Sequence, residues 1–80
     1  MENSTNEPLL AAFAKVLRLR RTRAGLSQEE LAHRAGKSMR YISLLETCHH
    51  QPSLSTLKGI CDGIGVSMTD FIAEVEAELA

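Results

Sequence analysis

Residues 27–46, SQEELAHRAGKSMRYISLLE, constrain the fold more than any other stretch of the chain. They predict two short helices around a tight turn. Ser27 is placed to cap the first helix by accepting the amide three residues on, and Glu30 stands at the reciprocal capping-box position. Leu31, Ala32 and Ala35 form an apolar stripe at helical spacing. Gly36 is the stop, because glycine enters the left-handed region without a Cβ clash. Ser38 can cap a second helix whose inward face is Ile42 and Leu45. A bulky residue in place of Ala32 would push the two helices apart.

Gln28, Ala32, Gly36, Ile42 and Leu45 fall at the offsets of a helix-turn-helix, in which the second helix enters the DNA major groove. Around them, GLSQEELA, AGKS, YISLLE, PSLSTL and IGVS follow one another across residues 25–67. In this wording the chain resembles the phage-repressor/Cro-like (XRE-type) helix-turn-helix regulators. The resemblance spans about half of the chain, and nearly all of it with the flanking helices. It implies an all-α, five-helix domain of the lambda-repressor-like kind and a role in transcription. RYISLLE followed by QPSLSTL is most similar to restriction–modification controller proteins, while Cro-like phage regulators and antitoxins share the pattern.

Helical periodicity outside the motif predicts the same architecture. Residues 1–7 are polar and unpatterned, a flexible tail ahead of a single domain over residues 8–80. Pro8 suits the first turn of a helix running to about Arg23, with Leu9 or Leu10, Phe13, Val16 and Leu17 inward and Gly25 ending it. Residues 47–52 form a loop stopped by Pro52. Ser53 caps a fourth helix with Leu54, Leu57, Ile60, Cys61 and Ile64 inward. Ser67 caps a fifth, with Asp70 at the capping-box position and an apolar stripe of Met68, Phe71, Ile72, Val75 and Leu79. Aromatics are scarce, so the core must be aliphatic and the helices close together.

The formal net charge of −1 argues against a nucleic-acid partner until its distribution is considered. Over residues 11–42, Lys15, Arg18, Arg20, Arg21, Arg23, Arg34, Lys37 and Arg40 oppose only Glu29 and Glu30. Beyond, Lys58 faces Glu46, Asp62, Asp70, Glu74, Glu76 and Glu78. The motif therefore lies in a basic half and the local field suits DNA, although mixed solvated helix faces are the usual meaning of charge runs.

In a helix-turn-helix the N-terminal part of the second helix meets base edges. The positions expected to be exposed there are Ser38, Met39, Arg40, Ser43, Leu44 and Thr47. Arg40 can donate two bonds to guanine N7 and O6, and Met39 and Leu44 suit thymine methyls. Ser38, Met39, Arg40 and Leu44 are thus the candidate base readers. Gln28 is the candidate backbone anchor, at a helix N-terminus with its partial positive charge, and the resemblance implies the same role. Ser43, Thr47, His49 and His50 can add phosphate contacts, and Tyr41 lies beside the inward face, half in the core. Glu46 ends the reading helix, where a carboxylate is unfavourable beside the helix dipole and DNA phosphates, and so requires a partner. The resemblance implies that partner is Arg21, a structural ion pair.

Cys48, His49, His50 and Cys61 invite a metal, but the paired C-x₂-C or H-x₃-H clamps of structural zinc are missing and no metal or cofactor is expected. Cys61 fits a small core position, where the family has alanine. Cys48 stands where the family has glycine, so either it is strained or the loop differs. Redox sensing by Cys48 is the chemical alternative. No Gly-rich phosphate loop or nucleophile elbow is present, and no enzyme activity is expected. Two cysteines without a signal-peptide pattern, and no apolar run near the roughly 20 residues of a bilayer span, point to a cytoplasmic, nucleoid-associated protein.

The expectation is a sequence-specific regulator binding double-stranded DNA as a homodimer on a palindromic operator. Phe71, Ile72, Val75 and Leu79 of the fifth helix are the candidate dimer contacts, against an intramolecular core role, which for Phe71 is the preferred one. The alternative is a protein-interaction module, an antitoxin or adaptor docking a partner protein.

Overall fold

The computed structural model describes residues 6–80 as α1 (Glu7–Arg23), α2 (Gln28–Ala35), α3 (Met39–Glu46), α4 (Leu54–Ile64) and α5 (Met68–Leu79), with no strand among the described residues. Each helix opens on a polar side chain that accepts an otherwise orphaned amide. Asn6 accepts from Leu9, Ser27 from Glu30, Ser38 from Tyr41, Ser53 from Thr56 and Ser67 from Asp70. At α2 the capping box closes, because Glu30 Oε1 accepts the Ser27 N–H at 2.8 Å. The box expected at α5 does not close: Ser67 accepts from Asp70, but the shorter aspartate makes no return bond. Within the stretch expected as a tail, Asn6 caps α1 and Glu7 begins it, and residues 1–5 lie outside the described residues.

Leu17, Leu31, Ile42, Leu45, Ile60, Cys61 and Phe71 are fully buried, so every helix contributes to one core. Phe13 and Phe71 meet across α1 and α5 with ring centroids 5.7 Å apart and planes tilted by 58°. Of the two leucines proposed for the start of α1, Leu10 is inward and Leu9 is exposed. Leu54, expected inward, is 74 % exposed. It is the first residue of α4, ahead of the face on which Leu57, Ile60 and Cys61 pack.

Two close approaches fix the layout. α5 lies against α1 and runs antiparallel to it, as the ion pairs Lys15–Glu78 and Arg20–Glu74, both 2.6 Å, require. Arg20 therefore carries its charge out to the domain edge and neutralises it there. On the other side, α2 packs on α4 at Gly63. A Cβ at that glycine would lie 3.1 Å from Arg34 Cβ and 3.3 Å from Leu31 Cδ1, while Arg34 Nη1 donates to the Gly63 carbonyl at 2.9 Å. α3 in turn packs on α2 and α1, so the α2–α3 pair is seated on both sides of the scaffold.

Candidate functional site

The turn between α2 and α3 places the two helices. Gly36 takes φ +70°, its N–H bonds the His33 carbonyl at 3.3 Å and the Lys37 N–H bonds Ala32 at 2.8 Å. This pair of bonds closes α2 and lets Ser38 start α3 at once. Ile42 and Leu45 then anchor α3 in the core with no exposure, which turns Ser38, Met39 and Arg40 outward. Met39 is 53 % exposed, a large apolar side chain with no cover. Ser38 contributes its hydroxyl oxygen to the Tyr41 cap at 3.0 Å, leaving its proton free to donate. Ser43 and Leu44, expected to be exposed, are half-buried.

Behind this outward end sits a polar knot. The Glu46 carboxylate accepts from Arg21 Nε at 2.6 Å, from Arg21 Nη2 at 3.0 Å and from Gln28 Nε2 at 3.0 Å. Arg21 Nη1 donates to the Leu26 carbonyl at 2.8 Å. The Glu46 side chain is only 3 % exposed. The knot therefore ties the end of α1, the turn before α2, the first residue of α2 and the last of α3 together. It brings Arg21, Glu46 and Gln28 into one unit, and the role of Gln28 in that unit is not visible in sequence spacing. The Ser27 cap takes only the Glu30 amide, so the amides of Gln28 and Glu29 at the N-terminus of α2 remain without an intrahelical acceptor.

The exit of α3 repeats the geometry of Gly36 without a glycine. Cys48 has φ +67°, its N–H meets the Leu45 carbonyl at 3.4 Å and the His49 N–H meets Leu44 at 2.9 Å. Of the two alternatives for Cys48, the strained one holds, since a residue with a Cβ occupies the left-handed region. Thr47 Oγ1 donates to the Ser43 carbonyl at 2.8 Å and meets His49 Nδ1 at 3.0 Å. The loop then doubles back, so that the His50 ring stacks on Tyr41 with centroids 6.0 Å apart and planes 27° apart. Lys37 Nζ lies 5.5 Å from the centroid of the same tyrosine. Thr47, His49 and His50 are all exposed, as is His33 on α2.

The division into a basic and an acidic half does not survive folding intact. Lys15, Arg20 and Arg21 pair with Glu78, Glu74 and Glu46, each from the acidic half. Arg18, Arg23, Lys37 and Arg40 are exposed and form no ion pair among the described residues. The positive field is thus smaller than the sequence suggests, and two of its free charges, Lys37 and Arg40, flank the start of α3.

Phe71 is fully buried, the core role preferred for it above, and Val75 is corrected as a dimer contact because it is nearly as buried in the same core. Ile72 and Leu79 remain 41 % and 43 % exposed. Ile72 shares an apolar groove with Leu9, Leu10, Pro52 and Leu57. Cys61 is buried, and burial pushes its thiol pKa up. Cys48 and Cys61 are both free thiols. No helix among the described residues is long and apolar enough to cross a membrane.

Comparison with known proteins gives a consistent picture. A family model described as helix-turn-helix matches residues 17–71. An uncharacterized HTH-type transcriptional regulator of Sinorhizobium fredii, y4dJ, is 37 % identical over 59 residues, covering 74 % of this chain and 75 % of that protein. The clp gene regulator ClgR from Corynebacterium glutamicum is similar in structure with a TM-score of 0.86, at 31 % identity over 92 % of this chain and 80 % of that one. The wild-type restriction–modification controller protein C.Esp1396I gives 0.83 at 28 % identity, over 89 % and 92 %. That controller has also been solved as a tetramer on its natural 35 base-pair operator.

Proposed function

The chain belongs to the XRE-type helix-turn-helix family, and on that premise we propose that it is a sequence-specific transcriptional regulator reading operator DNA with α3. The observation that carries this reading is the outward N-terminal end of α3. Met39 and Arg40 project from a helix whose Ile42 and Leu45 are locked in the core, so their positions are fixed before DNA arrives. Arg40 donates to guanine O6 and N7, Met39 packs on thymine methyls, and Ser38 and Leu44 flank them in the groove. Gln28, the open amides of α2, Ser43, His49 and His50 bond phosphates and set the register, while Thr47, whose hydroxyl proton goes to the Ser43 carbonyl, stays out of that role.

A helix of this length reads only a few base pairs, so the regulator acts as a homodimer on a palindromic site. The dimer contact uses the exposed apolar residues of α5, Ile72 and Leu79, with Leu9 beside Ile72. The solved tetramer of C.Esp1396I on its operator supports oligomeric binding of this kind. With α3 bound to DNA and no catalytic constellation in the sequence, the protein acts as a binding module in the cytoplasm rather than as an enzyme.

Fluorescence anisotropy with genomic DNA fragments at two salt concentrations tests this. Tight binding to particular fragments that weakens steeply with salt is the expected result. Weak binding equal across fragments would favour docking of a partner protein instead.

A further inference from the structure

We propose that Tyr41 is a positioning residue of the DNA interface, its ring holding Lys37 and His50 beside the first turn of α3, where each meets a backbone phosphate. The inference rests on the DNA-binding reading above. It adds Lys37 to the phosphate contacts and says what fixes two of them before DNA arrives.

The fold brings together residues 37, 41 and 50, which come from the turn before α3, its first turn and the loop after it. Tyr41 is fixed by its surroundings. Its N–H donates to Ser38 Oγ at 3.0 Å, its neighbour Ile42 is locked in the core, and its half-buried side chain packs against the core cluster. Lys37 Nζ lies 5.5 Å from the ring centroid, inside the roughly 6 Å over which an aromatic face attracts an ammonium. The His50 ring is stacked on the same tyrosine at 6.0 Å, with planes 27° apart. One anchored ring therefore restrains two exposed side chains, a flexible lysine and a loop histidine, that would otherwise sample many rotamers.

Neither ring contact uses up the groups that a phosphate needs. Lys37 forms no ion pair among the described residues, so its ammonium keeps N–H donors for an incoming oxygen. An imidazole carries at least one N–H in either tautomer and when charged, so His50 donates without having to titrate. Arg40 precedes Tyr41 and is exposed on the same turn. Phosphate contacts made here therefore set the position from which Arg40 meets a base. Ordering both side chains beforehand removes part of the entropy cost of binding, and that saving is what the tyrosine contributes to affinity.

The test is a set of anisotropy titrations across a salt series, on a site selected from random DNA. The proteins are wild type, Tyr41→Leu, Tyr41→Phe, the double variant Lys37→Ala/His50→Ala, and that double variant carrying Tyr41→Leu. Tyr41→Leu is expected to weaken binding about three- to tenfold, and Tyr41→Phe, which keeps the ring, to recover that loss. The double variant is expected to lower the log–log salt slope by about 0.9 for the lysine contact. Adding Tyr41→Leu to it is expected to cost nothing further, because the ring has nothing left to hold. Melting curves set the assay temperature below every transition, and Tyr41→Met, a flexible filler, takes the place of a Tyr41→Leu that does not fold. An equal loss from Tyr41→Leu in both backgrounds assigns its effect to the fold or to a DNA contact of its own, and overturns the positioning role. Tyr41→Leu without loss, Tyr41→Phe as weak as Tyr41→Leu, or an unchanged salt slope in the double variant also overturns it. A wild type that prefers no sequence overturns the DNA reading itself and the positioning role with it.

Discussion

Arg21 and Glu46 are joined by two hydrogen bonds, Nε to Oε2 at 2.6 Å and Nη2 to Oε1 at 3.0 Å, with the carboxylate almost sealed from solvent. The pair holds the C-terminal end of α3 to α1 and gives Gln28 an acceptor of fixed position. Removing one partner strands the other, so Arg21→Ala is expected to destabilise the domain by about 3–5 kcal/mol. Thermal melts check this; an unchanged melting temperature would mean the pair has no structural role.

Cys48 sits in the left-handed region at φ +67°. Glycine there relieves about 1 kcal/mol of Cβ strain, so Cys48→Gly should raise the melting temperature by roughly 4–8 °C for a domain this small. Melts of both proteins in reducing buffer would expose an error if the variant were the less stable.

Two glycines of α4 make opposite predictions. At Gly59 an added Cβ finds only the Ala35 carbonyl at 3.8 Å, so Gly59→Ala gains up to about 1 kcal/mol of helix propensity. At Gly63 the added Cβ would press on Arg34 Cβ and on Leu31 in the core. That overpacking costs about 1–3 kcal/mol, so Gly63→Ala should be neutral to destabilising. Denaturant midpoints for the two variants should differ in the stated order.

The capping box of α2 sets an acid-side dependence. The Ser27 N–H and hydroxyl hold the Glu30 carboxyl below the usual carboxylate range. A depressed folded value stabilises above the unfolded pKa and is lost as pH falls through the folded one. The stability difference between wild type and Glu30→Gln should therefore be present at pH 6 and shrink towards pH 3. A difference that stayed constant with pH would assign it to packing rather than to charge.

Ile72 and Phe71 are neighbours in α5 with opposite surroundings, one exposed and one in the core. Ile72→Glu is expected to leave the circular dichroism melt near that of wild type and to abolish dimers in sedimentation at micromolar concentration. Phe71→Ala is expected to cost about 3–5 kcal/mol of stability instead. A wild-type chain that sediments as a monomer and binds one half-site would refute the dimer.

Much of this was legible in the sequence because it is local. The serine caps of α2 to α5, the Gly36 turn and the inward pair Ile42 and Leu45 follow from spacing within a few residues. What spacing could not give depends on partners far along the chain. Lys15 and Arg20 look like free charges until α5 folds back and supplies Glu78 and Glu74. Phe71 and Ile72 are equally apolar, and only the packing angle of α5 decides which is inside. Leu54 continues a helical stripe on paper but precedes the turn at which α4 meets the core. Gly63 carried no signal, since its reason for being small lies on α2.

The central claim is that α3 reads bases, and Arg40 tests it most directly. After selection of the preferred site from random DNA, anisotropy would compare wild type with Arg40→Ala on that site and on unrelated sequence. The prediction is a loss of about 1–3 kcal/mol on the selected site, confined to discrimination at one base position. An equal loss on every sequence, or no loss on any, would contradict it.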